Sequence, residues 1–348
     1  MDGELVSATF FAPWDKNIEP YIRISTGDFE ELLAERGAYN AIAAIFNSIV
    51  HELVHYQQWL IDPKSKYGER EASSKAKQIV MNYLQHDENT QKDRVMLLNE
   101  NITEESLIEL LDIFAKSYLS VQENIIAACS NFTTFIKARS FLIEQTENPD
   151  PTISSEALLA LSHFQRDHET NNICIRSLGD NNNLVRMRAA EVACDLGDES
   201  IGTYLINSLT DKDELVRGYA AVSLGILGDA EVIPLLKQML ENEKRNATKL
   251  RIYVALFYLG QSTYFNLIVH QLKNRSYLVR LATSYYLVEL ADEKNISIIN
   301  DALLSAIDRE TNEEVHVSMI KDFNYLKTQY ELENNSLAVT VTSLDKSK

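Results

Sequence analysis

A repeated pattern in the carboxy-terminal half of the sequence limits this chain to a small set of folds. Two markers recur there in phase, a Leu-Val-Arg triplet that begins each unit with a period of 29 to 34 residues and a leucine that closes it. The triplets are Leu184-Val185-Arg186, Leu215-Val216-Arg217 and Leu278-Val279-Arg280, with a degenerate copy at Leu250-Arg251, and the leucines are Leu178, Leu209, Leu240, Leu272 and Leu304. Two independent markers in one phase indicate a true internal repeat.

Each repeat has the composition of a helical pair. An Ala-rich helix is predicted at 185–196 and again at 216–227, and in both units Gly-Asp and then a Leu/Ile-rich helix follow. Such a unit cannot bury its apolar face alone, so neighbouring units must stack. The sequence therefore predicts an α-solenoid of about five units over residues 152–328.

The repeats resemble short HEAT-like repeats, which have a Leu-x-Asp turn and Val-Arg in the first helix of each unit. Asp180 and Asp211 match the acid of that turn, whereas Asn242 and Asn274 replace it in later units. A regularly placed arginine in a stacked repeat pairs with the acid of an adjacent turn. We prefer this role for the repeat arginines over the alternative that they bind acidic peptides.

The amino-terminal part contains His51-Glu52-Leu53-Val54-His55, a His-Glu-x-x-His run in a predicted helix over 38–60. Residues four apart lie on one face of a helix, so both imidazoles can point at one metal ion, while Glu52 is predicted to face the open side of that metal. This is the arrangement of a zinc hydrolase, with Zn²⁺ bound by His51 and His55 and Glu52 as general base.

A second predicted helix, from Gly68 to about Gln85, offers the third ligand. Its buried face is predicted to contain four residues, Ala72, Ala76, Ile79 and Tyr83. Glu69 lies three residues before Ala72, on that inward face, whereas Glu71 is turned away by about 100°. A catalytic zinc keeps three protein ligands and one open position, so Glu69 is the predicted third ligand and Glu71 the alternative.

His-Glu-x-x-His followed by Glu69-Arg70-Glu71-Ala72 at the start of the next helix resembles the gluzincin branch of the zincin metallopeptidases. The resemblance implies that His51, His55 and Glu69 are zinc ligands and that the segment 21–25 is an edge strand for an extended peptide. Gluzincins often have an Asp where this chain has Ser73, an acid that orients a zinc-bound histidine. Three residues, Tyr56, Tyr67 and Tyr83, remain open as donors to an oxyanion.

Net charge and cysteine content limit the classes of binding partner and the cellular compartment that we expect for this chain. The net charge of −18 excludes non-specific affinity for nucleic acid or an anionic membrane, since both need a concentrated basic face. We therefore expect a protein or peptide substrate, no nucleic acid and no membrane, and leave the oligomeric state open. Three scattered cysteines, Cys129, Cys174 and Cys194, predict core residues in a reducing compartment. With no signal-like start, the expected location is cytoplasmic.

The predicted fold class is mainly α, with a small α+β zincin-like amino-terminal domain followed by an α-solenoid of HEAT-like repeats. The predicted domains are a metallopeptidase domain at 1–90, a helical connector at 91–150, the solenoid at 151–330 and a polar tail at 331–348. Short strands are expected at 8–11 and 21–25, and connector helices at about 103–120 and 121–145.

Two functions follow from these observations. In the first, the chain is a zinc-dependent metallopeptidase that cleaves a protein recruited by its repeats. In the second, it is a non-enzymatic HEAT-repeat scaffold with a structural or degenerate metal site. The sequence favours the first, because a structural site needs the histidines and a third ligand but has no evident use for Glu52.

Overall fold

The computed structural model describes residues 8–13, 17–24, 29–62, 68–198 and 200–330, with the backbone alone at 29–42 and at residue 84. The chain divides into two compact units, Met1–Phe164 and Gln165–Lys348. The predicted polar tail at 331–348 lies outside the described residues. The predicted boundaries at 90 and 150 stay predictions. Within the described residues, no helix is long and apolar enough to cross a bilayer.

The amino-terminal unit contains one small sheet and a set of helices. The elements are β1 (Ala8–Phe11), β2 (Tyr21–Ile24), α1 (Phe29–Ile61), α2 (Glu69–Glu100), α3 (Glu104–Phe114), α4 (Leu119–Cys129), α5 (Ile136–Gln145) and α6 (Pro151–Leu161). Strands β1 and β2 pair antiparallel, with Ala8 opposite Ile24 and Phe11 opposite Tyr21. The sheet packs against α1, α1 packs along α2, and α2 also packs against α3 and α4.

Helix α2 is longer than predicted because a polar sequence continues it. The run after Gln85 has little apolar periodicity, yet side chains four residues apart pair along it. Lys92 Nζ lies 2.6 Å from Glu88 Oε1, and the Gln91 amide donates to Asp87 Oδ2 at 3.0 Å. Pairs at this spacing stabilise an exposed helix. Helix α1 is also longer than predicted, since it runs unbroken through Gly37.

The buried faces of α1 and α2 differ by one residue from the predicted ones. On α1 the spacing of Ile42, Ile45, Ile49 and Leu53 in the sequence predicts one apolar stripe, yet Leu53 is 44% exposed, whereas Val50 and Val54 are buried. On α2 Ala72 and Ala76 are fully buried as predicted, but Val80 rather than Ile79 continues that face. Tyr83, also predicted there, is exposed. Each helix has more than one neighbour, so a single apolar stripe did not define its phase.

The connector contains more helices than predicted. The segment predicted as one helix over 121–145 forms α4 and α5, separated by a tight turn at 130–135. Ser130 Oγ donates to the carbonyl of Ala127 at 2.6 Å, and the backbone N–H of Ser130 also bonds to Ala127, which ends α4. A serine that bonds its own helix in this way offers the backbone an alternative to further α-helix.

The carboxy-terminal unit is the predicted solenoid. Its even-numbered helices lie side by side in one layer, and the odd-numbered helices pack against them. The helices are α7 (His168–Leu178), α8 (Asn183–Leu196), α9 (Ile201–Ser208), α10 (Glu214–Leu227), α11 (Ile233–Asn242), α12 (Asn246–Tyr258), α13 (Phe265–His270), α14 (Tyr277–Glu289), α15 (Ile296–Ile307) and α16 (Glu313–Gln329). The predicted Ala-rich helices coincide with α8 and α10.

The layer is tightly packed where glycine meets the next helix. A Cβ added at Gly225 of α10 would lie 2.6 Å from the Cα of Ala255 on α12. This separation is far below van der Waals contact, so α10 and α12 approach as closely as they do only because Gly225 has no side chain. Small residues in the repeat therefore set the helix spacing.

Candidate metal centre

Three predicted ligands lie together where the end of α1 meets the start of α2. His55 Nε2 is 3.0 Å from His51 Nε2, and the Glu69 carboxylate oxygens lie 3.3 Å from His51 Nε2 and 3.4 Å from His55 Nε2. Among the described His, Cys, Asp and Glu residues, these three form the group compact enough to hold a metal ion. The histidine at 55 is buried and Glu69 is exposed, so the group is open to solvent on its glutamate side.

Local sequence explains the convergence. His51 and His55 are one turn apart on α1, and Glu69 is the first residue of α2. The two helices run antiparallel along a seam of small and branched residues, in which Val50 packs with Ala76 and Val80. Because alanine lets the helices approach closely, a carboxylate in the first turn of α2 reaches both imidazoles.

The outer nitrogens of both imidazoles have oxygen partners. His55 Nδ1 lies 3.1 Å from Gln58 Oε1, and His51 Nδ1 lies 3.4 Å from Ser73 Oγ. An amide oxygen only accepts, so this contact favours the His55 tautomer with the proton on Nδ1, in which the Nε2 lone pair points into the group. Ser73 thus takes the position where gluzincins often have an acid, and it supplies the oxygen that can hold the tautomer of His51.

The donor set fits zinc. Two imidazole nitrogens and a carboxylate are ligands that zinc takes in proteins, and tetrahedral bonds of about 2.05 Å place ligand atoms about 3.3 Å apart. The three observed separations, 3.0, 3.3 and 3.4 Å, are close to that value. A hydrogen bond between the two Nε2 atoms, or a cation held by all three groups, accounts for separations this short. That His51, His55 and Glu69 hold zinc stays a prediction.

Glu71, the alternative third ligand, has another partner. Lys75 Nζ lies 2.6 Å from Glu71 Oε1, one turn along α2. The hydrogen bond and the charge of Lys75 hold the pKa of the Glu71 carboxyl below its ordinary value. The structure therefore directs Glu69, and not Glu71, toward the histidines.

Glu52, the predicted general base, is attached to the sheet. Its Oε2 accepts a hydrogen bond from the backbone N–H of Phe10 at 2.7 Å. Phe10 N–H points away from β2, so this carboxylate satisfies a donor that pairing within the two-stranded sheet leaves open. Trp59 of α1 also holds the chain just after β1, because its Nε1 donates a hydrogen bond to the Pro13 carbonyl at 2.8 Å. Glu52 thus has a structural use that the sequence did not reveal.

The tyrosines considered as oxyanion donors pack elsewhere or are not described. Tyr56 stacks on Trp59 and meets Phe10 edge-on at 5.8 Å between ring centroids. Tyr83 packs against Phe46 at 5.1 Å. Tyr67 lies outside the described residues.

The repeat arginines form a ladder of ion pairs, as predicted from their spacing. Each bonds through Nε and Nη2 to an acid of the next turn and through Nη1 to carbonyls of its own turn. The pairs are Arg186 with Asp211, Arg217 with Glu243 and Arg280 with Glu310. These arginines stabilise the stacking and are not free to bind an acidic peptide.

Arg251 does not belong to this ladder, although the sequence placed it there. The ladder arginines lie four residues after the residue that caps their helix, which in α12 is the position of Lys249. Arg251 is instead buried against Tyr219, with its guanidinium carbon 4.3 Å from the ring centroid. Its Nη1 bonds the Ala247 carbonyl and its Nε has no partner. The number of residues between the helix cap and the arginine distinguishes Arg251 from the ladder arginines, whereas the Leu-Arg pair in the sequence does not.

Comparisons with known proteins identify the repeats. The family model that matches is that of HEAT repeats, at residues 171–256. The complex of CpcE and CpcF of phycocyanin lyase from Nostoc sp. PCC7120 is 18% identical over 65% of this chain and 95% of its own, with a TM-score of 0.47. An engineered protein is 16% identical over 86% of this chain and 89% of its own, with a TM-score of 0.31. At these values, neither similarity establishes a common activity.

No protein of curated function shows significant sequence similarity to this chain. The family match lies in the repeats, and the described amino-terminal residues form a two-stranded sheet on long helices and show no zincin-like domain. The metallopeptidase interpretation is therefore wrong, and its main support is removed because Glu52 bonds the sheet. The chain is a mainly helical repeat protein that carries HEAT repeats.

Proposed function

We propose that this chain is a HEAT-repeat scaffold that binds another protein, and that a zinc ion fastens the first two helices of its amino-terminal unit. The observation that carries the proposal is the HEAT-repeat match at residues 171–256. Stacked helical repeats present extended faces that recognise other proteins. The arginine ladder supports this role, since it holds successive turns in a fixed relation and leaves the exposed faces available.

The zinc part of the proposal is supported by the placement of the three ligands. His51 and His55 belong to α1 and Glu69 to α2, so a bound ion would cross-link the helices at the end where their connection lies. Among the described side chains, Val50, Ala76 and Val80, with Phe46 against them, form an apolar cluster between α1 and α2 close to the ligands. Zinc would add strong bonds between the same two helices.

Metal analysis with thermal unfolding tests the zinc part. We expect about one zinc per chain, lost in the His51→Ala/His55→Ala variant, and a lower unfolding temperature after a chelator removes the ion. Glu52→Gln should keep its zinc, because the amide can still accept from Phe10 N–H. An unchanged zinc content in the double-histidine variant would place the metal elsewhere.

Site-specific cross-linking tests the scaffold part. A photo-reactive residue is introduced singly at exposed positions of the repeats and, as matched controls, at exposed positions of α2, in the full chain. We expect a discrete cross-linked protein from several positions in residues 165–330. The scaffold proposal fails if no repeat position gives a defined product.

A further inference from the structure

The even-numbered helices of the repeat unit share one exposed position. Their capping residues are Asn182, Asp213, Arg245, Ser276 and Asn312. Thirteen residues after each cap, all five helices have an exposed side chain. These residues, called here the exposed row, are Asp195, Ile226, Tyr258, Glu289 and Tyr325. Since the helices pack side by side in this order, the row crosses the layer.

Two exposed tyrosines lie at the middle of the exposed row, one in the row and one beside it. Tyr258 is 37% exposed, and Tyr285, one turn before Glu289 on α14, is 58% exposed. Tyr285 also meets the buried Tyr286 with 5.6 Å between ring centroids. Exposed tyrosine rings on neighbouring helices offer flat faces with negative potential.

The charged groups that reach these rings are acidic. Burial is the largest cause of the raised pKa of both phenols. Glu289, Glu191 and Asp195 also raise the pKa of the Tyr285 phenol, and Glu289 also raises that of Tyr258. Two arginines of the same helices have partners: Arg188 Nη1 lies 2.6 Å from Glu191 Oε2, and Arg251 is buried against Tyr219. The two rings therefore lie among acidic side chains.

We infer that the exposed row binds a lysine- or arginine-bearing segment of a partner protein, which crosses the helices in extended form and places its cations on Tyr258 and Tyr285. Aromatic faces together with carboxylates attract cations through both the ring and the charge. Adjacent helices are about 8–10 Å apart, which is close to the rise of one three-residue turn of polyproline II, about 9 Å. In that extended conformation every third side chain lies on one side, so a basic residue at every third position would meet successive helices. The inference rests on the proposed scaffold function and specifies the partner's chemistry.

A labelled peptide tests the inference with the full-length protein. The probe is (Lys-Ser-Gly)₄ with a fluorophore, and the control probe is (Glu-Ser-Gly)₄, both followed by anisotropy at low and high salt. We expect the lysine peptide to bind and the glutamate peptide not to bind. The inference is overturned if the lysine peptide does not bind, or if both peptides bind equally.

Matched variants locate the binding. Tyr258→Ala/Tyr285→Ala should weaken binding of the lysine peptide by about tenfold, at roughly threefold per exposed cation–π contact, and Glu289→Gln by about threefold. The matching changes on the opposite layer, Tyr204→Ala on α9 and Glu241→Gln on α11, should leave affinity unchanged. Circular dichroism checks folding, and the double Tyr→Phe variant, which keeps the rings, should retain binding. Equal losses in the control variants would show that the peptide does not bind at the exposed row, and the inference would be wrong.

The cross-linking experiment separates this inference from the function on which it rests. If the lysine peptide does not bind but repeat positions still cross-link a protein, the exposed row is the wrong face and the scaffold function stands. If neither result is obtained, both proposals fail.

Discussion

The two units of this molecule are stabilised in different ways. In the amino-terminal unit, the described side chains form one apolar cluster between α1 and α2, beside the single group of proposed zinc ligands. In the repeat unit, a continuous apolar core and three equivalent arginine–acid pairs hold one turn after another. A stabilising feature that recurs can be altered at one position and kept at the others, whereas the helix pair has a single set of ligands. The difference implies that single substitutions have their largest effect at the metal ligands.

The largest expected effect is on zinc binding. Glu69→Ala should weaken zinc affinity by more than about 100-fold, because loss of an outer partner alone costs 10- to 100-fold. Glu71→Ala is the matched control, since Glu71 pairs with Lys75, and it should keep wild-type affinity. Zinc titration with a competing chelator measures both. Equal losses would mean that Glu69 does not bind the metal.

The ladder should respond to acid at its most buried pair. Glu310, whose side chain is 1% exposed, pairs with Arg280. The hydrogen bond and charge of Arg280, together with the backbone N–H groups of Asn312 and Thr311, lower the pKa of the Glu310 carboxyl from 4.5 to about 2. A lowered pKa stabilises the fold above pH 4.5, and this contribution disappears as the pH falls from 4.5 to about 2. The shift corresponds to about 3 kcal/mol at neutral pH.

Substitutions at Glu310 and Arg280 test this contribution to the free energy of unfolding. Glu310→Gln should lower the free energy of unfolding at pH 7 by about 3 kcal/mol and flatten its dependence on pH between 4.5 and 2. Arg280→Ala should cost a similar amount, since it leaves the carboxylate buried without its partner. Arg309→Ala, an exposed arginine that bonds only its own helix at Ser305, is the control with an effect within about 0.5 kcal/mol. Denaturant unfolding at several pH values provides the comparison.

Helix spacing in the repeat unit gives an intermediate effect. Gly225→Ala places a Cβ against the backbone of Ala255, which cannot move aside as a side chain can, and should cost about 2 kcal/mol. Gly202→Ala on α9 meets nothing within 4 Å and should be neutral or slightly stabilising. If the two alanines behave alike in thermal unfolding, the close approach of α10 and α12 is not required.

The smallest effect is expected at an exposed ion pair of the amino-terminal unit. Lys137 Nζ lies 2.6 Å from Glu104 Oε1, but both side chains are about half exposed. Exposed pairs contribute about 0–1 kcal/mol, and salt screens them. Lys137→Ala should therefore change stability by less than about 1 kcal/mol, far less than Arg280→Ala. A comparable loss in both would mean that burial does not distinguish the ladder from surface pairs.

Sequence patterns predicted the local parts of this structure and missed those set by distant neighbours. The inward phase of Glu69 followed from its spacing to Ala72, because helical periodicity is a local property. The phase of Val80 and the exposure of Leu53 did not follow, because each helix packs on several elements. The length of α2 was underestimated because its polar half is stabilised by side-chain pairs and not by an apolar stripe.

The sequence by itself determined the repeat, the helical character and the two histidines on one helix face, since these depend on residue types at fixed spacing. Tertiary structure alone decided that Glu52 accepts from Phe10, 42 residues away, and that Arg251 lies on Tyr219 instead of in the ladder. Both depend on which element packs where, and spacing along the chain does not record this. The sequence pattern around a carboxylate that follows a histidine is the same whether that carboxylate faces water or bonds the backbone of a strand. The two cases differ only in the residue that packs against the carboxylate, and that residue is set by the tertiary structure.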